Sequence, residues 1–222
     1  MAEEPTPNNY RIALNHSQER LRQHEPAEMA TKAGAQWDED RGLFHMTLSN
    51  LSLALAYPSG KIWVVGDNEN RGAVSEGLTT GLKIMATNYL WYSKGTPLSH
   101  QYVTFKDVPG GHLFYPAFHR SAIKPIAETF SGNLAAFERA ATSIGGTPVE
   151  FSGDLAVLFW FFPMVPVIYV LWQGDDEVSG NANILFDATI ADYMITEDIA
   201  GVAWLSKRLL QNTALDIFDP LW

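Results

Sequence analysis

Residues 155–172 read LAVLFWFFPMVPVIYVLW, eighteen positions without a charged side chain. A run of that length sits near the lower limit for a helix that crosses a bilayer. Pro163 and Pro166 lie in its middle, and each would break a helix there by removing a backbone donor and crowding the preceding turn. They divide the run into LAVLFWFF and VIYVLW. Both halves have strand length and are rich in β-branched and aromatic residues. The reading is two buried strands joined at a proline corner, with no membrane span.

The rest of the chain supplies helices for such strands to pack against. Tyr10–His24 has helical spacing, and EPAEMATKAG follows with Pro26 suited to a first turn and Gly34 to a stop. LFHMTL, LSLALAY and KIWVV have strand composition, with Pro58-Ser59-Gly60 as a hairpin turn between the last two. SEGLTTGLKIMATNYLWY reads as a helix ended by Lys94-Gly95. LSHQYVTFKDVPGGHLFYPAFHR reads as extended and loop-like, because Pro109-Gly110-Gly111 punctuates it. SAIKPIAETF and NLAAFERAATSIGG read as helices, the second capped by Asn133. NILFD is a short strand, ATIADY a short helix and TEDIAGVAWLSKRLLQN a final helix with Thr196 as its cap. The 222 residues are taken as a single α+β domain over 1–222, a mostly antiparallel sheet with packed helices and a short polar tail over 1–9.

Charge narrows the partners. Net charge is −10, and between Ala140 and Ser206 there is no Lys or Arg. That stretch carries Glu150, Asp154, Asp175, Asp176, Glu177, Asp187, Asp192, Glu197 and Asp198. No nucleic-acid partner is expected, since phosphate binding needs a basic stripe. An acidic face suits a metal ion, a cationic ligand or a basic protein, and also an ordinary solvated surface. The chain has no cysteine, which removes disulfides, thiolate nucleophiles and thiolate metal sites of its own. The first ten residues, MAEEPTPNNY, have no basic and apolar signal pattern, so a cytoplasmic place is expected.

Neither a phosphate-binding Gly-x-x-x-x-Gly-Lys-Ser/Thr loop nor a Gly-x-Ser-x-Gly elbow nor a His-Glu-x-x-His pair occurs. DDEVSGNANILFD has acids and amides without calcium-loop spacing. His100, His112 and His119 lie in one irregular stretch, where an imidazole could bind haem iron, cobalt or zinc or stand idle in solvent. Asp154, Asp175, Glu177 and Asp187 could hold a divalent cation if they converged. Their repulsion in a partly dry site would need a cation or a shared proton to offset it. The alternative is a turn whose carboxylates accept backbone N–H groups, a rim feature beside a pocket.

The stretch from Gly153 to Leu205 resembles a prokaryotic family known as domain of unknown function 3786. The matching positions are Gly153, Asp154, Pro163, Pro166, Leu171, Trp172, Gly174, Asp175, Glu177, Leu185, Phe186, Asp187, Thr196, Glu197 and Asp198. The middle segment NYLWYSKGTPLSHQYVTFKDVPGGHLFYPAF is similar as well. Asn88 stands where the family usually has His, Gln173 where it has Glu and Val178 where it has Phe. The resemblance implies a place in anaerobic metabolism, of the one-carbon or corrinoid kind, with an iron–sulfur or methyltransferase protein as the expected partner.

Two functional expectations result. The first is a cofactor- or partner-binding accessory protein with an aromatic-lined pocket for a tetrapyrrole, haem or corrinoid. Trp91, Tyr102, Phe114, Tyr115, Phe118 and Trp172 would line it, and His100, His112 or His119 would ligate the metal. The second is a divalent-metal-dependent hydrolase-like enzyme using Asp154, Asp175, Glu177 and Asp187.

Overall fold

The computed structural model describes residues 7–65, 78–175 and 177–211. Asp176, the first residues of the expected tail and the start of the helix expected from Ser75 lie outside them. The fold is α+β, and both of its sheets are wholly antiparallel. The described residues gather into two compact units. One holds the residues up to Thr96 together with Asp192–Met194, and the other holds Pro97–Ala191 and the residues from Ile195 on.

In the first unit, helices α1 (Pro7–Leu21), α2 (Pro26–Ala33) and α3 (Thr80–Tyr92) accompany a four-stranded meander. Its strands are β1 (Gln36–Asp38), β2 (Leu43–Leu48), β3 (Leu51–Ala56) and β4 (Lys61–Val64). Alternation along β2 buries Phe44, Met46 and Leu48 and turns Thr47 to solvent. Gly34 ends α2 at φ 63°, the left-handed conformation a helix stop favours, and its N–H reaches Ala30 O and Thr31 O. The Thr79 hydroxyl accepts from Leu82 N and so caps α3. Tyr89 on α3 donates its hydroxyl to Ala33 O, which fixes α3 against α2 at a fully buried position.

The second unit is built on a five-stranded sheet in the order β5-β9-β8-β7-β6. The long apolar run is the centre of this sheet. It forms β7 (Leu155–Phe162) and β8 (Val165–Trp172), turning at Pro163-Met164 with a bulge at Trp160–Phe162. β9 (Asn181–Asp187) pairs with β8, and β5 (Tyr102–Thr104) and β6 (Thr147–Pro148) are short edges. Helices α4 (Gly111–Phe118), α5 (Lys124–Phe130), α6 (Leu134–Ser143), α7 (Thr196–Ala200) and α8 (Ala203–Gln211) complete it. One sheet face is dry: Tyr169 packs on Phe137 of α6 and shares a 2.9 Å hydrogen bond with Ser206 of α8. Burial pushes the Tyr169 phenol well up, with Ser206 offsetting only part of that.

Three expectations needed correction. The stretch read as extended from Leu98 to Arg120 carries α4, because Gly110 at φ 74° serves as a helix N-cap rather than a loop break. The last helix is two pieces, separated at Gly201-Val202. Ile195 is the N-cap of α7, and Thr196 instead donates its hydroxyl to Pro109 O at 2.7 Å.

Candidate functional site

The acidic stretch after β8 is first of all a turn. Asp175 Oδ1 accepts from Glu177 N at 2.9 Å and Val178 N at 2.7 Å, and Asp175 N donates to Val178 O. The Val178 and Glu177 amides hold its carboxyl below the usual carboxylate range. Asp154 is spent in the same way, accepting from Gln173 N at 2.7 Å, and Glu177 is exposed. These three carboxylates lie at one end of the sheet.

Asp187 lies at the other end. Phe186 pairs with Val167 and Asn181 with Trp172, so five residues, about 17 Å of strand, separate the two ends. Asp187 is 1% exposed. Its Oδ1 accepts from Ser99 N, Ser99 Oγ, Thr189 N and Thr189 Oγ1, and its Oδ2 from His100 N at 2.7 Å. Burial would raise its pKa, but the hydrogen bonds from Thr189 and Ser99 outweigh burial and hold the carboxyl below its ordinary value. The four carboxylates therefore do not converge. Among the described residues, no three His, Asp or Glu side chains are placed to hold a metal ion together.

The histidines are separated too. His100 is exposed at φ 55°, anchored through its backbone by Asp187. His112 is exposed on α4. His119 is different. It opens a π-helical turn, His119–Ile123, between α4 and α5. Pro116 and Pro125 each remove an N–H from the helical ladder on either side. Wide turns of this kind recur at functional sites. Tyr115 tilts against the His119 ring at 5.7 Å, and Lys106 sits 4.2 Å over the Tyr115 ring.

His119 lines a groove of about 550 Å³. Lys124, Glu128 and Ser131 line it from the helical side, Ser179 and Gly180 from the loop that follows the acidic turn, and Asn181 from the start of β9. Ile123 and Ala127 are its apolar residues. The groove follows the helix from His119 to Ser131, about 18 Å at the α-helical rise. Lys124 and Glu128 pair at 3.5 Å. The two walls touch: a Cβ on Gly180 would come within 2.3 Å of Ser131 Cβ and 2.8 Å of Gly174 N. Only glycine admits that approach. The acidic turn therefore shapes the rim of the groove, and the Asp175 carboxylate serves the turn.

The expected aromatic lining is dispersed. Phe118 is 2% exposed and stacked on Phe105 in the core. Phe114 is exposed on α4, and Tyr115 reaches the groove only through His119. Tyr102 and Trp172 stand half-buried on the sheet face opposite Tyr169. Trp91 belongs to the first unit, where its Nε1 donates to Asn88 Oδ1 at 3.1 Å and its ring lies parallel to His24 with centroids 6.4 Å apart. There it lines a smaller cavity of about 230 Å³ with Glu28, Lys32 and Lys94. Asn88 also accepts from Ser17 Oγ at 2.6 Å, so the amide at this position is a buried structural acceptor. Lys124, Ser131 and Asn181 of the groove carried no signal in the sequence, since they come from three segments with no shared spacing.

The sequence model of a family described as Domain of unknown function (DUF3786) matches residues 25–208. The chain belongs to this family. Among curated proteins and solved structures, nothing matches the chain. The DUF3786 match takes in α2 through most of α8, and so includes both the groove beside His119 and the Asp187 anchor. No helix among the described residues is long and apolar enough to cross a membrane.

Proposed function

We propose that this DUF3786 protein is a cofactor-binding accessory protein, and that its ligand is a corrinoid seated in the groove beside His119. The observation that carries this reading is the groove itself: about 550 Å³, within the usual range for ligand sites, with one imidazole at one end. Haem does not fit it well. A porphyrin needs an apolar slot, and Ile123 and Ala127 are the groove's apolar residues. A corrinoid carries amide groups around its ring, and Ser131, Ser179 and Asn181 offer hydroxyl and amide partners for such a rim. His119 is the residue that would ligate the metal. An iron–sulfur or methyltransferase protein is the partner such a role calls for.

The test is an anaerobic absorption titration with aquacobinamide, a corrinoid that lacks its own lower base, so that a protein imidazole shifts its visible bands. The expected result is a saturable one-to-one shift that disappears in His119→Ala and survives in His100→Ala and His112→Ala. No shift at all, or a shift retained in His119→Ala, refutes the reading.

A further inference from the structure

The cavity of about 230 Å³ in the first unit lies along α2 and the end of α3. Gly95, at φ 76°, brings the two together. A Cβ there would lie 3.2 Å from Lys32 Cγ and 3.4 Å from Lys32 Cα, so the turn after α3 rests directly on α2. Lys94 is thereby set into the same cavity as Lys32. Asp192 holds it there, its backbone oxygen accepting from Lys94 N at 3.0 Å and its Oδ1 from Lys94 Nζ at 2.8 Å. Lys32 Nζ donates to Glu28 Oε1 at 2.6 Å. An ammonium has three N–H donors, and each lysine spends one of them in this way. Glu25 stands at the N-cap position of α2 without capping it, and its carboxylate has no hydrogen bond or ion pair among the described residues. The Trp91 indole and the His24 imidazole, near-parallel at 14°, give the cavity flat faces.

We infer that this cavity binds a small zwitterion with a flat side chain, a free aromatic α-amino acid. Its volume lies below the roughly 300 Å³ at which drug-sized sites begin, which limits the ligand to a small molecule. Its charges come in both signs. The spare N–H donors of Lys32 and Lys94 suit a carboxylate, and the open carboxylate of Glu25 suits an ammonium. A purely anionic ligand would face Glu25 and Glu28, and a purely cationic one Lys32 and Lys94. A molecule with one charge of each sign meets neither repulsion. The Trp91 face then takes the ring. Trp91 Nε1 is engaged with Asn88 Oδ1 at 3.1 Å, which fixes the plane of the indole before a ligand arrives. This cavity shares no residue with the groove beside His119, so the inference stands apart from the corrinoid reading.

Isothermal titration calorimetry of the full chain with L-phenylalanine and with L-tryptophan tests this. At least one of them is expected to bind one-to-one, with a dissociation constant on the order of 100 μM. The matching arylethylamine lacks the carboxylate and the matching arylpropionate lacks the amine. Each is expected to bind roughly tenfold more weakly, the effect of losing one charge-assisted hydrogen bond. Glu25→Gln and Lys32→Met remove one charge each at nearly constant side-chain length. Each is expected to weaken binding of the amino acid roughly tenfold while the far-ultraviolet circular dichroism stays unchanged. No binding of either amino acid up to about 10 mM overturns the inference. So does an amine or acid analogue that binds as tightly as the amino acid, or either folded variant that binds like the wild type.

Discussion

Replacing Asp187 separates two ways in which its carboxylate works. Oδ1 alone takes four hydrogen bonds, from the backbone and hydroxyl of Ser99 and of Thr189, whereas Oδ2 takes only His100 N. Asp187→Asn keeps an acceptor at the Oδ1 position and turns an NH2 toward His100 N. It is expected to cost about 1–2 kcal/mol, the value of one charge-assisted bond lost and one donor left facing another. Asp187→Ala removes the acceptor for all five donors. Water reaches some of them, so the sum is discounted to about 3–4 kcal/mol. Urea unfolding followed by circular dichroism checks both, and amide exchange at Ser99, His100 and Thr189 checks the location. The pH dependence has a definite sign. The carboxyl is depressed in the folded chain, so its contribution is complete above the unfolded value near 4 and is lost as pH falls through the lower folded value. Asp187→Asn should therefore flatten the acid limb of the stability profile. An Asp187→Ala chain within about 0.5 kcal/mol of wild type, with unchanged exchange at the three amides, would refute the account.

Gly180→Ala forces the loop at Ser179–Asn181 away from Ser131; aquacobinamide binding should weaken severalfold while global unfolding shifts little. Tyr169→Phe leaves Ser206 Oγ without its buried partner and should cost about 1 kcal/mol in urea unfolding. Asn88→Ala removes the acceptor for Ser17 and Trp91, with an expected loss of about 1–2 kcal/mol, read in the same way. Asn133→Ala removes the side-chain cap on Ala136 N and should cost about 1 kcal/mol.

Where local chemistry decides, the sequence was readable. The prolines argue against one long helix in the apolar run, and two strands, β7 and β8, form there, with Pro163 at the turn and Pro166 inside β8 rather than at the corner. Gly34 and Asn133 stop and start helices as their backbone and side-chain preferences dictate. Proline and glycine were misleading between Leu98 and Arg120, because Gly110 and Pro116 punctuate a helical stretch without ending it. At the site, His119 was one of three candidate histidines in the sequence, and nothing there distinguished it or outlined its groove. The groove depends on the loop after β8 coming back against the end of α5, a contact settled by the absence of a side chain at Gly180. Asp187 looked like a partner for Asp175 because they are close in the chain, yet β9 runs antiparallel to β8 and carries it to the far end of the sheet.

The five-stranded sheet ends in strands of three and two residues, and Pro148 lies in the shorter of them. A strand that short offers almost no ladder for an incoming chain to extend, and a proline there removes one of the few donors. The most apolar segment of the sequence therefore sits in the middle of a sheet that cannot grow sideways. Runs like LAVLFWFF are the kind that stack into fibres when their edges are free. Here the termination of the sheet keeps that hazard in check, because an incoming strand finds almost no edge ladder to extend.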